Sequence, residues 1–182
     1  MARCIVFSAV GGTGKTTVIQ NLQKRGLSLQ FSISATTREP RNGETHGEEY
    51  YFLSVEEFEN KIERNEFLEY EEVFDGCYYG TLKKEVDKGT PERPVVLDID
   101  VLGAENVKQI YGDDALLLFL EAPSKAELRR RLEKRGDSKE SINKKLERAS
   151  LEKDKKEIFD HVIVNDELER CVDKVQELLD EN

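Results

Sequence analysis

Residues 4–17 read Cys4-Ile-Val-Phe7-Ser8-Ala9-Val10-Gly11-Gly12-Thr13-Gly14-Lys15-Thr16-Thr17. A short apolar run of β-formers leads into a cluster of glycines, and a lysine and two hydroxyls follow. Beyond them Val18, Ile19 and Leu22 recur at helical spacing, and Gly26 offers a stop. The order is therefore strand, loop, helix. A loop of this composition lets several backbone N–H groups converge on a phosphate, because small or absent side chains permit close approach. A helix starting at Lys15 or Thr16 turns the positive end of its dipole toward the same anion. Lys15 adds an ammonium within reach of β- and γ-phosphates, and the Thr16 hydroxyl suits a bridging magnesium ion. The strict pattern has glycine where this chain has Ala9. Residues 9–17 (Ala9, Val10, Gly11, Gly12, Thr13, Gly14, Lys15, Thr16 and Thr17) are thus the expected seat of a nucleoside triphosphate, with Lys15 catalytic.

Composition narrows the alternatives. A chain of 182 residues with 37% hydrophobic content suits one domain with a real core, although 36% of it is charged. No apolar stretch reaches the length of a membrane helix, and the N-terminus runs straight into the first strand, so a cytoplasmic, membrane-free protein is expected. Cys4, Cys77 and Cys171 are odd in number and far apart, which suggests neither a disulfide framework nor a zinc site. His46 and His161 are the only histidines, leaving little room for a catalytic triad. The 28 basic and 38 acidic residues give a net charge of −10, which argues against a nucleic-acid binder. A phosphate site responds to cations within about 8 Å, so arginines must be concentrated locally. They are, at Arg38 and Arg41, and again at Arg129, Arg130, Arg131 and Arg135 with Lys134.

Along the chain, residues 29–34 alternate like a strand, and residues 36–47 form a polar loop. Ser54 with Glu57 makes a capping box for a short helix carrying Val55, Phe58 and Ile62. A strand over 67–73, a turn at Asp75-Gly76 and the Tyr78-Tyr79-Gly80 segment suggest a hairpin. Leu82 and Val86 suit another helix, ended near Gly89 and Pro91, and this whole block reads as a small mixed sheet. Pro94 to Asp98 and residues 115–121 then read as buried strands flanking a helix near 104–110. Ser124 and Glu127 form a second capping box opening the basic helix, residues 138–155 are helical, and the strand 161–164 precedes an amphipathic helix carrying Leu168, Val172, Val175, Leu178 and Leu179. The fold class is α/β with a parallel core sheet flanked by helices.

The same residues carry a resemblance. The loop ending Gly14-Lys15-Thr16-Thr17 is followed in order by Ser34-Ala-Thr-Thr-Arg38-Glu-Pro-Arg41-Asn-Gly-Glu44, Gly47-Glu-Glu-Tyr50-Tyr-Phe, Phe67-Leu-Glu69-Tyr, Tyr78-Tyr79-Gly80-Thr81 and Leu97-Asp98-Ile-Asp100-Val-Leu-Gly103. Pro123-Ser, Arg131-Leu-Glu-Lys-Arg135-Gly and Val164-Asn165-Asp166 complete the set. Over nearly its whole length the chain resembles the guanylate kinases. The resemblance implies a P-loop nucleoside monophosphate kinase fold: a core of 1–33, 90–125 and 151–182, a GMP-binding insert over 34–89 and a mobile helical lid over 126–150. It implies magnesium-dependent phosphoryl transfer from ATP to GMP, and to dGMP, by a monomer or homodimer.

Chemistry and resemblance together assign the expected site. Guanine offers donors at N1 and its exocyclic amine, so a selective recess needs a carboxylate, and Glu69 is the candidate. The family pattern places Ser34 at the guanine carbonyl, Asp100 near the amine, and Tyr50, Tyr79 and Thr81 at the acceptor phosphate and its surroundings. Arg38 and Arg41 lie about 10 Å apart in extended chain and can close on one phosphate from two sides. Asp98 ends a hydrophobic strand, as suits a carboxylate that holds magnesium through water, with Thr16 as the other metal ligand. Arg131 and Arg135 share a helix face and are expected to close over the transferring group. The resemblance adds Asn165 on the ATP side. Lys145, with Arg148 nearby, stands where the family has a further lid arginine, and Leu102 replaces a glutamine. Two other functions remain open on sequence alone: a sugar-phosphate kinase on the same core, and a non-enzymatic guanylate-kinase-like interaction module.

Overall fold

The apolar run before the glycines forms strand β1 (Cys4–Ala9), buried on both faces as a central parallel strand must be. Its alternation divides the core. Ile5 and Phe7 pack against helices α1 (Lys15–Lys24) and α7 (Leu168–Asp180), while Cys4 and Val6 face α4 (Val101–Tyr111) on the other side of the sheet. The computed structural model describes residues 2–27, 29–74, 76–153 and 155–181.

Five parallel strands make the core sheet in the order β2 (Gln30–Phe31), β7 (Val95–Asp98), β1, β8 (Ala115–Glu121) and β9 (His161–Val164). In β1 and its neighbour β7, Phe7 lies beside Asp98, so the glycine loop and the Asp98 carboxylate emerge at the same edge. Ligands of open parallel sheets sit outside these carboxyl ends.

A second, mixed sheet of four strands runs β4 (Tyr51–Phe52), β3 (Ala35–Thr36), β6 (Cys77–Leu82) and β5 (Phe67–Phe74). β3 and β4 are parallel, and the other two pairings are antiparallel. It has its own small core of Ala35, Phe58, Phe67 and Leu82, with Phe58 stacked on Phe67 at 4.2 Å and on Tyr78 at 5.2 Å. Helix α2 (Val55–Glu63) supplies Phe58 and opens on the complete Ser54/Glu57 capping box that the sequence predicts.

Helices α5 (Lys125–Arg135) and α6 (Lys139–Lys153) pack Leu128, Leu132 and Ile142 on Val10 of the glycine loop. Among the described residues, no helix is long and apolar enough to cross a membrane.

Three local expectations need correction. The alternating stretch 29–34 is not one strand: only Gln30 and Phe31 join the core sheet, and the chain then crosses to the mixed sheet at Ala35. Leu82 ends β6, and the helix after it, α3 (Lys83–Val86), has only four residues. The second capping box is half made: the Ser124 hydroxyl accepts from the Glu127 N–H, but the Glu127 carboxylate is taken by Arg130 and Arg131. Asp75 of the expected turn and the side chain of Arg148 lie outside the described residues.

Candidate active site

The glycine loop is held open by its own backbone. Gly12 and Gly14 have φ of 97° and 101°, which L side chains rarely adopt. A Cβ at Gly12 would fall 2.5 Å from Leu132, and one at Gly14 would fall 2.6 Å from the Asn165 amide. Buried Thr13 closes the turn through its N–H (3.2 Å) and hydroxyl (2.6 Å) on the Val10 carbonyl. Gly14 caps α1, so Lys15, Thr16 and Thr17 are its first three residues, and both threonines are exposed above the loop. Ala9 ends β1, and Gly11 lies open beneath the Lys145 side chain.

Arg131 and Asn165 brace this loop from behind. The Asn165 amide and the Arg131 guanidinium both donate to the Thr13 carbonyl, at 2.8 Å and 3.0 Å. Arg131 also donates to the Asn165 carbonyl at 2.8 Å and pairs with Glu127 at 2.9 Å. Arg135, one helical turn on, instead forks onto Asp137 at 2.7 and 2.6 Å, and Lys145 meets the same carboxylate. The two arginines expected to act together thus have separate partners here. Asp137 is held well below the ordinary carboxylate range by the Arg135 and Lys145 cations.

Lys15 contacts the Asp98 carboxylate directly. Lys15 is largely covered, whereas Asp98 is 47% exposed and faces a cleft of about 1040 Å³ between the two sheets. Seven of the nine residues expected on the acceptor side line this cleft: Ser34, Tyr50, Glu69, Tyr79, Thr81, Asp98 and Asp100. Segments from residue 34 to residue 100 meet because β3, β5 and β6 lie over the carboxyl end of β7.

Glu69 is a half-buried charge in the cleft. Burial raises its carboxyl above the ordinary 4.5; a hydrogen bond from Thr81, its partner across the strands, offsets part of this, and Asp100 raises it further. Glycines crowd it on two sides. A Cβ at Gly80 would fall 2.7 Å from the Glu69 carbonyl, and one at Gly103 would fall 3.0 Å from the Glu69 Cγ. Asp100 caps α4 by accepting from the Gly103 N–H at 2.9 Å.

Arg38 and Arg41 stand beside the cleft and do not line it. Arg38 forks onto Glu44 with two contacts of 2.9 Å, and Arg41 donates its backbone N–H to the same carboxylate at 2.6 Å. The Arg38 guanidinium lies 5.5 Å over the Tyr50 ring and bonds Tyr79, so it is one side chain from the cavity. The two-sided arginine clamp is therefore not closed: the Arg38 guanidinium is held by Glu44. The sequence reading passed over Asn106, which lines the cleft and donates to the Leu68 carbonyl at 3.2 Å, and Lys155, which lines its rim and pairs with Glu105 at 3.0 Å. Asn106 stands on α4 one turn after Gly103, whose missing Cβ leaves room for the Glu69 side chain.

A phosphate cradle and a recess with a half-buried carboxylate, joined through the Lys15–Asp98 contact, suit transfer of a phosphoryl group to a small hydrogen-bonding acceptor. Comparison with known proteins agrees. The family model described as guanylate kinase matches residues 1–182. The chain is 50% identical over 182 residues to a guanylate kinase of Porphyromonas gingivalis, covering 98% of this chain and 97% of that one. It is 51% identical over 175 residues to a guanylate kinase of Chlorobaculum tepidum, covering 95% and 89%. Among solved structures, guanylate kinase from Anaplasma phagocytophilum superposes with a TM-score of 0.71 at 31% identity, covering 99% of this chain and 85% of that chain. The chain belongs to the guanylate kinase family.

Proposed function

We propose that the chain phosphorylates GMP from ATP through the residues brought together at the carboxyl end of the core sheet. The observation that carries this reading is the cleft itself: Glu69 lies within the cavity whose edge is Asp98, and Asp98 touches the lysine of the phosphate loop.

On the donor side, the loop of residues 9–17, through backbone N–H groups other than that of Thr13, and the Lys15 ammonium hold the triphosphate, and Lys15 exchanges Asp98 for phosphate oxygens. Arg131 and Asn165 hold the carbonyl of Thr13 and so brace the loop. Thr16 and Asp98 are hard oxygen donors, the type magnesium takes alongside waters and phosphate oxygens, and they would hold the ion, Asp98 through water. When bound, magnesium neutralises charge on the β- and γ-phosphates.

On the acceptor side, the ionised Glu69 receives the N1 and exocyclic-amine hydrogens of guanine, with Ser34 and Asp100 completing the base site. Tyr50, Tyr79 and Thr81 offer hydroxyls to the monophosphate, and Arg38 and Arg41 leave Glu44 to close on it. A monophosphate oxygen is already anionic near neutral pH, so no general base is required and positioning with charge stabilisation carries the reaction. The insert (34–89) and the lid (126–150) move toward each other over bound substrates. Their closure excludes water, which would otherwise hydrolyse ATP. Arg135 and Lys145 then trade Asp137 for the transferring group.

A coupled ADP-release assay across GMP, dGMP, AMP, CMP, UMP and simple sugar phosphates tests this reading. Turnover confined to the guanine nucleotides is expected. Turnover of sugar phosphates alone, or of nothing, contradicts it.

A further inference from the structure

Two chain crossings connect the core sheet to the mixed sheet. The first, at residues 32–34, follows β2, and the second is α3, which follows β6. The second crossing is pinned at both ends: Leu82 packs in the small core of the mixed sheet, and Val86 packs in the core beneath the parallel sheet. Between them sits Glu85, a carboxylate with a side chain only 2% exposed. It has no role in the chemistry set out above.

Its partners come from both crossings. One oxygen accepts the backbone N–H of Ile33 at 3.2 Å, so the first crossing is tied to the second. The other accepts the Tyr51 hydroxyl at 2.8 Å and the Lys88 ammonium at 2.6 Å. Burial acts to raise the Glu85 carboxyl, but these three donors outweigh it and hold it below the ordinary range. Leaving such a group without its donors is costly, so the three attachments are held together.

Two of these partners adjoin the cleft in sequence. Ile33 precedes Ser34, and Tyr51 follows Tyr50, both of which line the cavity. The Tyr51 N–H also donates to the Ser34 carbonyl at 2.8 Å, closing the circuit from Glu85 through Tyr51 to Ser34 and back through Ile33. We infer that Glu85 is a positioning residue for the acceptor: it clasps the two crossings and so sets where Ser34 and Tyr50 stand relative to the phosphate loop. This rests on the acceptor reading of the cleft. Among the described residues the clasp's hydrogen bonds join Ile33, Tyr51 and Lys88, none of them on the donor side, so its loss acts on one substrate only.

Glu85→Gln keeps the shape and removes the charge, and Tyr51→Phe breaks the clasp from the opposite side. Each variant is expected to raise the KM for GMP about tenfold, the worth of a hydrogen bond to a buried charge. The KM for ATP and kcat should stay within about twofold, and the double variant should be no worse than about the weaker single, because both break one device. A merely structural role would lower Tm without this split between the two KM values. If Glu85→Gln fails to fold, Tyr51→Phe alone decides. A GMP KM within twofold of wild type in the folded variants overturns the inference while leaving the acceptor reading intact. A wild-type chain that neither binds nor turns over GMP overturns both together.

Discussion

The donor and acceptor halves of this site are built in opposite ways. The phosphate seat is made of backbone from nine consecutive residues, its shape fixed by Gly12, Gly14 and the buried Thr13, and braced by Arg131 and Asn165. The acceptor cleft is made of side chains spread from Ser34 to Asp100, and the arginine proposed to close on it, Arg38, is elsewhere, on Glu44. A backbone cradle is pre-formed because each N–H is set by local dihedrals, whereas side-chain sites must be assembled by tertiary contacts. The backbone of the donor half is set in the unliganded chain, although Lys15 must still leave Asp98. In the proposed reaction the acceptor half is completed by closure.

Four perturbations break or sharpen that contrast. Removing the donor cation with Lys15→Ala has the largest effect, a loss of about 10²–10³-fold in kcat with the fold retained, measured by coupled turnover and circular dichroism. Near-normal turnover would mean that the loop does not hold the donor. Gly14→Ala forces a side chain into a left-handed conformation against Asn165, and strain of this kind costs about 1–3 kcal/mol. It should raise the KM for ATP by about tenfold or more while the KM for GMP hardly moves, and equal shifts in both would blur the two halves. Arg38→Lys keeps the charge and loses the planar fork, so the KM for GMP should rise about tenfold with ATP unaffected.

The smallest effect is on stability and runs against function. Glu69 has a folded pKa raised above its unfolded value by burial. Such a carboxyl gives its full stability below the unfolded pKa, near 4.5, and loses it as pH rises through the folded value. Glu69→Gln should therefore raise the Tm of the unliganded protein by about 2 °C at pH 7 and leave it unchanged at pH 4. A fall at pH 7 would mean that the ionised carboxylate is stabilising and the recess is not a desolvating one.

How much of this was legible in the sequence follows the same division. The strand, loop and helix at residues 4–24 could be read because every determinant lies within one window. Ser54 and Glu57 gave a complete capping box for the same reason. Residues 29–34 misled because their alternation continues unbroken across the point where the chain leaves one sheet for another, and no residue there marks the crossing. The Ser124 box failed by half because Arg130 and Arg131, on the next turn, compete for Glu127. Most cleft residues were named through the ordered family motifs. Their contacts were not: Gly80 and Gly103 belong to those motifs, but that both meet Glu69 shows only in the fold. Glu85 lay hidden in a charged run that pattern alone assigns to solvent.

The claim on which the whole account turns is that the half-buried Glu69 carboxylate selects the acceptor. The ratio of kcat/KM for GMP to that for AMP, measured for wild type and Glu69→Gln, tests it directly. The account predicts a loss of about 10²-fold for GMP with AMP essentially unchanged, because only guanine presents donors to that carboxylate. A Glu69→Gln variant that discriminates between GMP and AMP as wild type does would contradict it.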